Sequence, residues 1–433
     1  MQREEGALTT QATAAASRLS VMNFLNEAAN DYPRAISFAS GRPAEQFFSL
    51  EGWLAAVPDY QAHAARAAGQ SVTQAGRLLA QYGRTAGIIN ALMAEQLGRD
   101  EGVACEAAQV VVTAGCQEAL ALLVPALCRA PGDVMLARNP TYIGITGVAD
   151  FAGIEILPIE CEDGESWEQA LARVAAALRR EGKTARGFYL TPEFDNPTGT
   201  VLDEAERRSI IAGCLEHRIV ALEDNPYGMF RYDGTSTAPM FSLDPAGCVI
   251  YLATYSKTLC PAVRVGAAVL PRRLFGSEAA AGRLRAELSE RKSFVTVNTS
   301  QVTQALVGGV LLREAGSLAR LVEAPRAFYR GNRDTLVGAL ERAFDGGRGA
   351  VRWNRPDGGF FLGVTLPFEF GQRETVECAR DHGVIVMPMT FFSLDGTRRD
   401  EVRLAFSNAG PEAIEDGVRR FAGYVDAKRG AAA

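Results

Sequence analysis

The run Thr254-Tyr255-Ser256-Lys257-Thr258-Leu259-Cys260-Pro261-Ala262-Val263-Arg264 sets one lysine among hydroxyls, with an arginine seven positions further on. The apolar stretch Cys248-Val249-Ile250-Tyr251-Leu252-Ala253 ahead of it reads as a buried strand, so Lys257 falls at a strand end. Desolvation there lowers an amine's pKa and makes it a usable nucleophile. Such an amine suits imine formation with an aldehyde cofactor whose phosphate is held close by Ser256 and Arg264. Most lysines only keep a solvated charge, so this segment draws its weight from its companions.

Three further strand ends carry polar groups, the place where ligands bind in open α/β sheets. Thr113-Ala114-Gly115-Cys116-Gln117 follows one apolar run and opens a helix, offering free N–H groups and a helix dipole to a phosphate. Phe194-Asp195-Asn196-Pro197-Thr198-Gly199 follows another, and taken alone it equally suits a turn with a capping asparagine. Ile219-Val220-Ala221-Leu222 runs into Glu223-Asp224-Asn225-Pro226-Tyr227-Gly228, an acid at a strand end with a tyrosine three positions on. A buried carboxylate is costly unless paired, and a protonated ring nitrogen would supply the missing cation.

The elements that position these groups follow from periodicity. Between about residues 100 and 270, short β-branched runs alternate with amphipathic stretches, the pattern of a βαβ sheet. Strands are predicted at Gln109 to Thr113, Asp133 to Ala137, Ile154 to Pro158, Gly187 to Thr191, Ile219 to Glu223, Val249 to Ala253 and Val265 to Leu270. Helices are predicted at Gln117 to Cys128, Trp167 to Arg180 and Asp203 to Glu216, then over a long region at Gly276 to Lys292 and Ser300 to Phe344. A smaller α+β unit follows a hinge near 310 to 330. It has strands near Val351 to Asn354, Gly359 to Val364, Gly383 to Met387 and Glu401 to Ala405, and a closing helix from Pro411 to Asp426. The first forty-odd residues read as a helix and an extended arm, Ala35-Ile36-Ser37-Phe38-Ala39-Ser40-Gly41-Arg42-Pro43, packing beside the active site.

Composition narrows the function classes. With 433 residues the chain exceeds what one hydrophobic core usually organises. A net charge of -6 gives no electrostatic case for nucleic acid, and small metabolites fit better. The eight cysteines form no C-x-x-C pair and the three histidines are scattered, so no metal site is expected and the thiols read as reduced. Met1-Gln2-Arg3-Glu4-Glu5-Gly6 leads into no apolar signal region, and no apolar run approaches a membrane span, so a cytoplasmic location without membrane contact is expected.

N-P-T-G, D-N-P-Y, S-K-T with its later arginine, and the late Val402-Arg403-Leu404-Ala405-Phe406, in this order, resemble the fold-type I pyridoxal phosphate enzymes, specifically the class I/II aminotransferases. The resemblance spans essentially the whole chain. It implies an N-terminal helix and arm over 1–45, a large cofactor domain over 46–315 with a mostly parallel seven-stranded sheet, and a small C-terminal α+β domain over 316–433. By it, Lys257 would bond pyridoxal 5'-phosphate, Asp224 would pair with the ring nitrogen, and Tyr227 and Asn196 would hydrogen-bond the ring hydroxyl. Tyr142, in Asn139-Pro140-Thr141-Tyr142, matches the aromatic stacked on the ring. Gly115, Cys116 and Gln117 with Thr254, Ser256 and Arg264 would cup the phosphate. Arg403 matches the grip on the substrate's α-carboxylate, with Asn196, Gly41 and Arg42 nearby. Cys116 departs from the family's usual serine, alanine or threonine, keeping a backbone donor and losing a hydroxyl. Tyr82, in Gln81-Tyr82-Gly83-Arg84-Thr85, matches the tyrosine that reaches the partner's phosphate, implying a homodimer with shared active sites.

Met22-Asn23-Phe24-Leu25-Asn26-Glu27, Ile36 to Pro43, Gln81 to Thr85 and Val297-Asn298-Thr299-Ser300 further resemble the dihydroxyphenylglycine transaminase group of antibiotic biosynthesis. This implies transfer of an amino group between a bulky or aromatic amino acid and a 2-oxo acid. The same apparatus serves lyases and oxidative decarboxylases, since these residues define the cofactor site and not the fate of the Cα carbanion. Aminotransferase-like domains also sense ligands in transcription regulators behind a basic winged-helix segment, of which no pattern is seen here. Arg42, Phe47, Phe48, Phe294 and Phe360 are candidates for a distal substrate pocket.

Overall fold

A computed structural model describes residues 30–344 and 350–432 together with Phe24 and Glu27. The expected helix before residue 30, and Met22, Asn23, Leu25 and Asn26 of the arm-side motif, lie outside the described residues.

Thirteen strands are named here in chain order: β1 (Ile36–Ser37), β2 (Val110–Thr113), β3 (Asp133–Arg138), β4 (Ile156–Ile159), β5 (Thr184–Leu190), β6 (Val220–Asp224), β7 (Val249–Thr254), β8 (Gly266–Val269), β9 (Arg352–Trp353), β10 (Phe361–Thr365), β11 (Val384–Ile385), β12 (Met387–Pro388) and β13 (Glu401–Ala405). β2 to β8 form one seven-stranded sheet of order β2-β8-β7-β6-β5-β3-β4, parallel except where β8 pairs with its two neighbours. Helices cover both faces, so β6 is buried at every position, with an apolar run Val220-Ala221-Leu222 leading to the buried Glu223 and Asp224. All seven predicted strands are present, with ends shifted by a few residues. Register sets Asp224 beside Leu252 and Thr254 beside Gly266, so the ends of β6, β7 and β8 deliver their loops to one edge.

Local signals start and stop the helices. Ser166 and Asp203 cap helices Trp167–Arg180 and Glu204–His217 in reciprocal boxes with Gln169 and Glu206. The stretch predicted as one helix from Ser300 to Phe344 is two, Gln301–Arg313 and Ala319–Ala343. Ala315 and Gly316 take left-handed backbone at the break, and Asp100 accepts the Leu318 N–H at 2.7 Å. Four helices between Leu50 and Asp100, and Ile143–Ala152, carry no predicted counterpart. The last of these is rich in glycine and β-branched residues, poor helix formers that packing overrides.

The second sheet has order β12-β13-β10-β9 and is antiparallel. The single strand predicted from Gly383 to Met387 divides at Val386: β11 pairs in parallel with β1 of the arm, while β12 joins β13. The arm is therefore pinned by main-chain bonds, Phe38 N–H to Ile385 at 2.8 Å and Ala405 N–H to Phe38 at 2.8 Å. Phe38, Phe194, Tyr227 and Phe230 join the apolar core beneath this sheet. Among the described residues no helix is long and apolar enough to cross a membrane, and no cluster of His, Cys, Asp and Glu could hold a metal ion.

Candidate active site

Lys257 leaves the β7 end and its Nζ donates to the Gly41 carbonyl of the arm at 3.1 Å. Burial, then the positive Arg403 and Arg264, bring its pKa down to about 8, so an unprotonated amine is accessible near neutral pH. Asp224 ends β6. Its Oδ2 accepts the Tyr189 hydroxyl at 2.7 Å, and its buried Oδ1 has no partner among the described residues. Burial raises its pKa to about 6, with Tyr189, Cys116 and Lys257 opposing the rise. A buried carboxylate oxygen with no partner among the described residues suits a cationic partner such as a protonated ring nitrogen.

Beside them lies a turn whose geometry suits an anion: a cradle of Gly115, Thr254, Ser256 and Arg264. Gly115, at φ 78°, caps helix Cys116–Leu127, and a Cβ there would meet the Arg264 guanidinium at 2.5 Å. Arg264 donates to Ser256 Oγ and to the Ala114 carbonyl, each at 3.2 Å. Thr254 Oγ1 accepts the Ser256 N–H at 3.1 Å. Cys116 points its thiol back at the Ala253 carbonyl, 3.3 Å away, so it adds no side-chain donor to the cradle. Gln117 donates to the Gly144 carbonyl at 3.0 Å, which fixes the start of the helix behind Tyr142. Gly144 also keeps clear of the Tyr142 ring, where a Cβ would collide.

Arg403 projects from β13, buried, with its guanidinium 4.3 Å from the Phe361 ring centre and 4.7 Å from that of Phe392. It donates to Asn196 Oδ1 at 2.7 Å and to the Ala39 carbonyl, while its buried Nε has no partner among the described residues. Asn196 thus spends its oxygen on Arg403 and keeps its amide N–H groups for other acceptors. Tyr227 is buried against Phe360 and Phe361, with its ring centre 5.9 Å from Lys257 Nζ.

The structure brings together Lys257, Asp224, Tyr227, Asn196, Arg403, Gly41 and the cradle residues. Tyr82 stands apart at 79% exposure, consistent with a residue offered outward. Arg42 is exposed, and among the described residues its carbonyl is engaged by Ser407. Of the phenylalanines expected at a distal pocket, Phe360 is corrected by its burial. Phe360 is wholly buried in the core, Phe47 packs on Phe328 and Tyr329, Phe48 packs on Trp53, and Phe294 is 92% exposed. Sequence reasoning missed Tyr189, Phe361 and Phe392. A tyrosine inside a strand buried on both faces was a signal, because its hydroxyl requires a partner.

The profile of the family "Aminotransferase class I and II" matches residues 39–421. The chain is 38% identical over 432 residues to the (S)-3,5-dihydroxyphenylglycine transaminase of Amycolatopsis orientalis, covering 99% of this chain and 95% of that protein. It is 28% identical to aromatic-amino-acid aminotransferase 1 of Thermococcus litoralis, covering 89% of this chain and 87% of the other. Its fold matches the crystal structure of Pyrococcus horikoshii kynurenine aminotransferase with a TM-score of 0.79 at 25% identity, covering 98% and 97% of the two chains. The chain belongs to the class I and II aminotransferases. It is a pyridoxal phosphate-dependent enzyme of fold type I, and the unpartnered Asp224 oxygen, lowered-pKa Lys257 and glycine-lined cradle fit that cofactor.

Proposed function

We propose that this enzyme transfers the amino group of a bulky or aromatic α-amino acid to a 2-oxo acid in specialised metabolism, as the name of its Amycolatopsis relative suggests. The observation that carries the substrate class is the apolar lining beside Arg403. Ala39, Ile143 and Phe391, only partly buried, pack there on the buried Met387, Met389 and Phe392, and Phe24 packs edge-on against Phe391 at 5.8 Å. Such a wall favours an apolar or aryl side chain next to a gripped carboxylate.

Pyridoxal phosphate supplies an electron sink when bound. In this reading Lys257 Nζ would hold its aldehyde carbon and, as a free amine, would move the Cα proton. Asp224 would keep the ring nitrogen protonated. Tyr142 would lie against the ring, and Tyr227 and the Asn196 amide would donate to its hydroxyl. Gly115, Cys116, Gln117, Thr254, Ser256 and Arg264 would bind the phosphate through backbone N–H groups, hydroxyls and charge. Arg403 would orient the substrate carboxylate and so select the Cα bond that reacts.

Stoichiometric keto acid, with the cofactor recovered in its amine form, is the expected result of a single turnover without acceptor. Recovery of the aldehyde form with release of a side-chain fragment or carbon dioxide would overturn the reading. Arg403→Ala should lower kcat/KM by about 1.5–3 kcal/mol while cofactor affinity is kept. Steady-state kinetics across amino acids check this, and an unchanged kcat/KM for all of them rules the role out.

Residues 1–45, 46–315 and 316–433 serve in this proposal as arm, cofactor domain and small domain. A homodimer fits the exposed Leu78, Tyr82, Phe294, Val295, Val297 and Val302. These segments are tied together by Gly83 N–H to Asn298 Oδ1 at 3.3 Å and Gln301 Nε2 to the Leu78 carbonyl at 3.0 Å. The free thiols, five of eight buried, fit a reducing cytoplasmic setting.

A further inference from the structure

We infer that the buried ion pair Lys292–Glu118 is a positioning pair for the phosphate cup, in which Lys292 cancels a carboxylate that lies directly behind it. The inference rests on the reading of Gly115, Cys116 and Gln117 as that cup. Glu118 sits in the first turn of helix Cys116–Leu127, and Lys292, wholly buried, in the last turn of Glu278–Val295. Glu118 Oε2 accepts the Ala114 N–H at 2.6 Å and Lys292 Nζ at 2.8 Å, and its Oε1 accepts the Thr296 hydroxyl at 2.6 Å. The carboxylate therefore shapes the backbone of the cup by holding the residue before Gly115.

That hold has an electrostatic side effect. An anionic carboxylate one residue past Gln117, in a site shielded from water, opposes a bound phosphate unless a cation lies with it. Lys292 is that cation, and its geometry leaves it no other use. Its remaining protons go to Thr296 Oγ1 and Thr299 Oγ1, both at 3.0 Å, which fills its three donor positions. Thr299 in turn donates to the Val112 carbonyl at 3.1 Å, so the ammonium is locked against β2, the strand that leads into the cup. Val297, a β-branched residue at φ 64°, is carried between these two anchored threonines.

The two partners carry opposite predictions, which separates charge balance from mere packing. Dissociation constants of the apo-protein are to be measured for pyridoxal phosphate, for inorganic phosphate by competition, and for pyridoxal. Lys292→Met should weaken both phosphate-bearing ligands on the order of tenfold, because an unpaired buried carboxylate then faces them, with pyridoxal little affected. Glu118→Gln keeps an acceptor for Ala114 and removes the negative charge, so it should bind phosphate as well as or better than the wild type. The double variant should lie near the wild type. If Lys292→Met does not fold, the sign of the Glu118→Gln effect still decides. Weakening by Glu118→Gln, equal losses for pyridoxal and its phosphate in Lys292→Met, or wild-type phosphate affinity in Lys292→Met would each overturn the pair's role. A wild-type apo-protein that binds no pyridoxal phosphate would instead sink the cofactor-site reading itself.

Discussion

Lys257→Ala should reduce turnover by roughly ten-thousandfold or more if Lys257 acts as proposed, since the covalent hold on the cofactor and the general base at Cα would be lost together. Single-turnover kinetics with bound amino acid check this, together with mass spectrometry for a borohydride-fixed cofactor adduct, which should vanish. Retention of the adduct in the variant would move the role to another lysine. The apo-protein offers an independent readout. Burial holds the Lys257 pKa near 8, below the value of about 10.4 for an unfolded chain, so the folded state releases its proton first. Stability is therefore reduced below pH 8 and recovers as pH rises from 8 towards 10. Lys257→Met, which keeps the volume without the charge, should stabilise the apo-protein at pH 7 by about 1–2 kcal/mol, after allowance for partial solvent screening. That gain should shrink on the alkaline side. A pH-independent difference between the two apo-proteins would show that the amine is not charged at a cost in the fold.

Asp224→Ala should cost about 3–5 kcal/mol in catalytic efficiency, the loss expected when one partner of a buried charge pair is removed. Asp224→Asn separates charge from shape, because an asparagine can still meet the Tyr189 hydroxyl that now lies 2.7 Å from Oδ2. If the carboxylate acts by keeping the ring nitrogen protonated, Asn should be nearly as poor as Ala in kcat while retaining more cofactor affinity. The apo-protein's pH dependence runs opposite to that of Lys257. Burial raises the Asp224 pKa to about 6, above its unfolded value, so the folded state holds the proton longer and stability falls as pH rises from about 4 through 6. Full activity for Asp224→Asn at neutral pH would remove the assigned role.

Much of the site was legible because its residues lie at strand ends. The central strands announce themselves as short apolar runs, and Asp224, Lys257 and the Gly115 turn follow directly after such runs. The partners of those residues were not legible. Tyr189 reaches Asp224 from another strand, Phe392 reaches Arg403 from a loop, and Gly41 meets Lys257 across 216 positions of chain. Such pairings are set by tertiary register rather than local pattern. The division of Gly383 to Met387 between two sheets has the same origin, since an apolar β-branched run records burial but not which neighbour supplies the hydrogen bonds. The helix break before Ala319 was written in Ala315-Gly316-Ser317, yet its stabilising contact, Asp100, lies far upstream.

Because β11 holds the arm and β12 holds β13, two neighbouring stretches of one short segment tether the arm and the strand that carries Arg403. The carbonyl that Lys257 touches and the carbonyl that Arg403 touches, Gly41 and Ala39, are two residues apart on that same arm. The arm is thus a crossbar linking Lys257 to Arg403. If Arg403 grips a substrate carboxylate as proposed, that carboxylate would compete with Ala39 for the guanidinium, and the arm would carry the change two residues along to Gly41.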